Sequence, residues 1–211
     1  MALIDLTDII SIESAPWNLV YQQEFSGLGS GEGLAHDLGP PLWESEVASG
    51  PMYHDDAYAA QARLNALAGS LQAFYLYNPA KPGPRMDPKG VVLGGAIPTL
   101  SFISANRKIV RMNTLPVGYV ISGGDFWAVE YGSGRRALIQ AVEGSVASAG
   151  GVAPEFEVTP HLRPGVTTGL VVQLIRPAAK VKLVPGTLRL ENTGALHSRL
   201  RFTARQTLAA N

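Results

Sequence analysis

The stretch HSRLRFTAR, residues 197 to 205, decides the fold class. His197, Arg199, Arg201, Thr203 and Arg205 alternate with Ser198, Leu200, Phe202 and Ala204, so one parity is charged or polar and the other mostly apolar. A backbone that sends successive side chains to opposite faces turns this pattern into a strand with one buried face, the mark of an antiparallel sheet.

Working outward, Val181 and Leu183 are separated from Leu188 and Leu190 by Pro185-Gly186, a pair suited to the centre of a type II turn, which predicts a hairpin. A second hairpin is expected to join Phe126–Tyr131 to Arg135–Val142 through Gly132, Ser133 and Gly134. Trp17, Leu19, Tyr21, Gln23 and Phe25 alternate as in a half-buried strand that ends in the glycine-rich loop 27 to 33, and Leu42 to Ala48 reads as the next strand. One segment has helical spacing instead. Ala57, Ala60, Leu64 and Leu67 fall at offsets of three and four, Asp55 or Asp56 can cap the start, and Gly69 can stop it. A single helix near 56–68 follows. Two of its inward residues are alanines, so it should lie close against a sheet. After it, Leu71 to Tyr77 reads as a strand ended by Asn78-Pro79.

Prolines and glycines then cluster twice, at Pro79 to Gly90 and at Pro160 to Gly165, and bracket a module. The expected organisation is a segment 1–14, a discontinuous β domain of residues 15–91 and 163–211, and an inserted β module, 92–162. Within the larger domain Trp17, Leu64, Leu67, Phe74, Leu76 and Phe202 are the expected core. Segment 1–14, with Leu3, Ile4, Leu6, Ile9, Ile10 and Ile12, is too apolar for a free tail and is expected to dock as an arm on a neighbouring molecule.

Composition bounds the chemistry. The 211 residues include no cysteine, which removes disulfides, thiolate metal sites and a cysteine nucleophile. Hydrophobic residues make up 46% and charged residues 16%, where about 25% is usual, so much of the surface is weakly polar and suited to coverage by neighbours. A compact monomer of 22.4 kDa should keep roughly 9,400 Å² of accessible surface. Asp5 and Asp8 argue against a signal peptide, and Gly94 and Gly95 interrupt the longest apolar run, Val91 to Pro98, far short of a membrane span. No membrane insertion is expected.

Charge is distributed unevenly. Residues 1–62 hold ten acids and no Lys or Arg, and the other 149 hold 17 bases and seven acids. The asymmetry can serve head-to-tail contact between copies, an acidic surface that repels a polyanion, or pairing of the two halves within one chain.

Catalytic signatures are weak. The glycines of 27–33 miss the dinucleotide spacing, because Glu32 stands where the third glycine belongs, and there is neither a Walker loop nor a Gly-x-Ser-x-Gly elbow. His54-Asp55-Asp56 is the densest group of potential ligands, but adjacent residues need a tight bend to share an ion, and helix-dipole compensation accounts for the aspartates. Glu155 and Glu157 share a strand face as solvated acids. Arg163, Arg176, Lys180, Lys182, Arg189, Arg199, Arg201 and Arg205 could form a basic face for nucleic acid or polysaccharide, yet no aromatics are interleaved to stack bases. No catalytic, cofactor or metal residue is therefore assigned, and no enzyme is expected.

The stretch LNALAGSLQAFYLYNP, residues 64 to 79, resembles a pattern in distal tail and tail-tip proteins of long-tailed bacteriophages and related gene transfer agents. There a helix ending in a leucine-glycine step leads to an aromatic strand and then Asn-Pro or Asp-Pro, matched here by Leu64, Leu67, Gly69, Phe74, Leu76, Asn78 and Pro79. ISGGDFWAVEYGSGRRALIQAV, residues 121 to 142, resembles the inserted β module of such proteins, and FEVTPHLRPGV, from Phe156, the exit that follows. The resemblance spans about residues 17 to 207.

It implies a mostly β protein: an antiparallel β-sandwich-like ring domain with one helix, and an inserted small β-barrel-like module. It also implies a hexameric ring at the distal end of the tail, made in the bacterial host cytoplasm, joining tail tube protein to hub or tip proteins, with phage DNA as passing cargo. Early acids are expected to face the lumen in part and keep that DNA from sticking. The alternative is a carbohydrate- or nucleic-acid-binding β module.

Overall fold

The computed structural model describes residues 5–6, 9–27, 29 and 31–210. In chain order the elements are β1 (Ile12–Ser14), β2 (Trp17–Gly27), β3 (Gly33–Ser49), β4 (Met52–Tyr53), α1 (His54–Asn65), β5 (Ala73–Leu76), β6 (Thr99–Ile103), β7 (Ile109–Asn113), β8 (Val120–Ile121), β9 (Phe126–Tyr131) and β10 (Arg135–Ala141). They continue with β11 (Ser145–Val146), β12 (Ala153–Thr159), β13 (Val172–Gln173), β14 (Ala179–Leu183), β15 (Arg189–Asn192) and β16 (His197–Gln206). Strands make up 47% of the chain and helix 6%, and the sheets are antiparallel, so the protein is mostly β and sandwich-like, with one helix.

The larger sheet has eight strands. Its path runs β1-β3-β16-β14-β5, with β2 added on β3 and with β4 and β15 on β16. Strand β16 lies at its centre: Leu200, Phe202 and Ala204 are buried, and Arg205, Thr203 and Arg201 pair in register with Glu44, Glu46 and Ala48. The second sheet has six strands in the order β13-β9-β10-β12-β7-β6. Its edges meet at an isolated bridge between Thr99 and Val171, so the sheet is rolled and does not form a continuous closed barrel. The expected hairpin 126–142 is present, from Tyr131↔Arg135 to Phe126↔Gln140. This sheet continues to Gln173, and Val166, Val172 and Leu174 belong to its core, beyond the expected exit at 162.

Several local expectations change. Pro185-Gly186 does turn the chain, with Gly186 at φ +78 and Thr187 N–H reaching the Val184 carbonyl, but β14 and β15 do not pair. Each pairs with a different stretch of β16, β14 with residues 204–206 and β15 with 198–201. The long strand beyond the turn outcompetes the local partner. The helix begins at His54, two residues early, behind Tyr53, which makes no side-chain cap. Asp55 and Asp56 sit in its first turn, where they offset the helix dipole instead of capping. Ala57, Ala60 and Leu64 face inward, and Ala68 and Gly69 both take left-handed φ, so the stop comes at the expected glycine after an earlier loss of regular helix.

The core of the larger sheet contains Leu64, Leu67, Phe74, Leu76 and Phe202, while Trp17 packs against it half-buried. Phe74 meets Phe202 edge-on at 6.4 Å. Of segment 1–14, Leu6, Ile10 and Ile12 are buried in this same core. Leu3 and Ile4 lie outside the described residues. No described helix is long and apolar enough to cross a membrane.

The widest departure concerns β2 and β3. Past Val20 and Leu42 these strands pair only with each other, as far as Gly27↔Gly33. Their side chains are largely exposed there, so the alternation from Tyr21 to Phe25 belongs to a projecting hairpin and not to a half-buried strand. The accessible surface, 10804 Å², exceeds the compact value in keeping with that projection.

Candidate functional site

Three places gather charge or shape. The first is the polar face of β16. Arg199 lies 3.3 Å from Glu13, Arg201 3.1 Å from Glu191 and Arg205 3.9 Å from Glu44. Two of those acids come from the base-free first 62 residues, so part of the charge asymmetry is answered within one chain. Lys180 is buried, donates to the carbonyls of Gly134 (3.2 Å) and Ala209 (3.0 Å), and has its pKa lowered chiefly by burial. Arg163 is also buried and donates to the Pro41 carbonyl, tying the base of the projecting hairpin to the second sheet; burial lowers its pKa. Several expected polyanion-binding bases are thus committed to internal contacts.

The second place was not legible in the sequence. Asp125 is almost fully buried, accepts backbone N–H bonds from Arg85 (2.9 Å) and Ser122 (2.8 Å), and pairs with Lys81 at 3.2 Å. Lys81 also donates to the Gly124 carbonyl at 2.6 Å, and buried Asp87 accepts the Leu93 N–H at 2.8 Å. Together they clip the proline-rich loop 79–98 onto the rolled sheet. Tyr119 sits buried beside both aspartates, and its pKa is raised well above the usual tyrosine value, first by burial and then by the charges of Asp87 and Asp125. The one signal available was the Gly123-Gly124-Asp125 turn.

The third is a cleft of about 480 Å³ between the hairpin base and the exit from the second sheet, lined by Tyr21, Gln23, Asp37, Asn106 and His161 among others. Its polar groups are partly occupied: Gln23 donates to Asp37 at 2.6 Å, and Arg107 donates to the carbonyls of Leu162, Arg163 and Val166 at 2.6 to 2.9 Å.

The remaining candidates separate. The His54 ring nitrogens contact Ser198 Oγ at 2.7 Å and the Ala195 carbonyl at 3.1 Å, while Asp55 and Asp56 point to solvent. Glu155 pairs with Arg111 at 2.6 Å. Among the described residues no three His, Asp or Glu side chains are grouped to hold a metal ion.

Part of the exposed apolar surface lies on two segments. On the hairpin Tyr21, Phe25, Leu34 and Leu38 are 57 to 74% exposed, and in the loop after β5 Met86, Val91, Val92 and Ile97 are 57 to 79% exposed. Clustered residues of this kind mark contact surfaces. No protein-family model matches the chain, and no curated protein matches it.

Proposed function

We propose that this chain is a structural virion protein, a distal tail ring or adaptor that links a tail tube to the tip or hub of a long-tailed phage or gene transfer agent. The observation that carries the reading is the pairing of its apolar exposure with its charge. Large apolar side chains project on an acidic hairpin and on a basic loop, as in a chain that spends surface on contacts with copies of itself. The motif order at 64–79 and 121–142, with the helix, the aromatic strand β5 and the β9–β10 hairpin, fits the tail-protein pattern described above.

In this role the chain turns over no substrate and needs no cofactor. Its partners are further copies in a ring of six, the tube protein and the hub, with DNA passing through. The acids of the first 62 residues left outside ion pairs, Glu46 among them, would lie partly towards the lumen and discourage DNA from adhering.

Light scattering coupled to size-exclusion chromatography, with class averages of negatively stained particles, tests the reading. Closed rings of six are expected; a monomer across the accessible concentration range would overturn it.

A further inference from the structure

The two exposed apolar surfaces differ in charge and in place. The hairpin carries Glu24, Glu32 and Asp37, all exposed, and belongs to a segment without Lys or Arg. The loop after β5 exposes Arg85 and Lys89, while its only acid, Asp87, is buried. The hairpin base is tied to the rolled sheet through Arg163 and Pro41, and the loop is clipped to the same sheet through Asp125.

The hairpin also has a reason to seek a cover. Paired positions put Phe25 with Ala35 on one face and Leu34 and His36 with Glu24 on the other, with Leu38 exposed at the bulge, so both faces are part apolar and wet. Two strands alone are marginal in water. What stiffens this pair locally is the Gln23–Asp37 hydrogen bond and the Phe25 ring, which lies so close over Gly33 that a side chain there would meet it at 2.6 Å. Beside the basic loop, Leu93, Ile97, Pro98 and Val171 line an open groove of about 430 Å³, within the size range that takes small organic groups.

We propose that the hairpin of one copy, residues 21–40, docks on the loop 84–97 of a second copy, with Phe25 at the groove beside Ile97 and the hairpin acids facing Arg85 and Lys89. Joining two different surfaces makes the contact head-to-tail, which closes into a ring or runs on as a filament according to the angle. The inference rests on the self-assembly proposed above and names the contact that carries it.

Two charge-reversed variants test it, Glu24→Lys with Glu32→Lys, which leaves the Gln23–Asp37 bond in place, and Arg85→Glu with Lys89→Glu. All four residues are exposed, so both variants should fold, which circular dichroism melts check. Each alone sets like charges face to face and should weaken association at least about tenfold. Mixed in equal amounts, they present opposite charges at every contact and should recover the wild-type mass.

A monomeric wild type would overturn the assembly reading and this inference together. A wild-type oligomer that both variants retain would overturn only this contact, as would a mixture that stays dissociated. Because the chain has no cysteine, Phe25→Cys with Ile97→Cys gives a second readout. Oxidation should produce a ladder with the double variant, while either single variant, which can cross-link only as far as a dimer, should stay uncross-linked; a disulfide dimer from Phe25→Cys alone, or no ladder from the double variant, would overturn the pairing.

Discussion

Trp43 of β3 donates its indole N–H to the carbonyl of Leu138 in β10 at 2.7 Å, and so joins the two sheets through one buried side chain. Its ring also meets Phe126 edge-on at 5.3 Å, and Leu138 and Ala128 reach from the rolled sheet into the core of the larger one. Trp43→Phe removes the donor and part of the volume. A loss of about 1–3 kcal/mol is expected, or roughly 2–4 °C in Tm for each kcal/mol. An unchanged melting curve would show that the joint does not depend on Trp43.

Phe74 is fully buried between helix and sheet, against Phe202. Phe74→Ala should cost about 3–5 kcal/mol through the cavity it leaves. Phe74→Leu keeps most of the volume and should cost less than about 1.5 kcal/mol. Urea denaturation of both variants checks the ranking, and equal losses would contradict it.

Tyr119 gives the protein an alkaline weakness. Its folded pKa is raised, so above about pH 10 the unfolded chain loses this proton more readily than the folded one. Stability present below that pH is then lost as pH rises, because the unfolded state binds fewer protons. Tyr119→Phe removes the ionisation. Denaturation midpoints measured from about pH 8 to about pH 11 should fall less steeply in the variant than in the wild type. Parallel slopes would remove Tyr119 as the cause.

The arginines of β16 separate the tail reading from the nucleic-acid alternative. With Glu13, Glu44 and Glu191 beside them, the strand should bind duplex DNA weakly at physiological salt. Glu13→Gln with Glu44→Gln frees two arginines and should strengthen binding measurably in a fluorescence anisotropy titration. These partly exposed pairs add little to stability, under about 1 kcal/mol each. Tight, salt-sensitive binding by the wild type would favour the alternative.

The sheet class was legible because alternation over 197–205 has one reading when one face is buried. The inward faces of α1 and β5 were legible for the same reason, since Leu64, Phe74 and Leu76 follow simple periods. Contacts set by distant residues were not. Pro185-Gly186 signals a turn whether or not its flanks pair, and only the competing strand β16 decides against the hairpin. Tyr21 to Phe25 alternate alike in a buried strand and in a projecting one, because periodicity records parity and not cover. The anchoring of loop 79–98 depends on Asp125, about forty residues away in sequence from Arg85, and no local pattern encodes that meeting.

The position of β16 between β3 and β14 constrains how the molecule is made. The strands of the rolled sheet all leave the ribosome before β16 is synthesised and can pair early. The larger sheet waits: its middle is missing while β1 to β5 are already outside, holding unpaired backbone and apolar faces. During that interval the nascent chain is at its most vulnerable to misassociation and has most need of a chaperone.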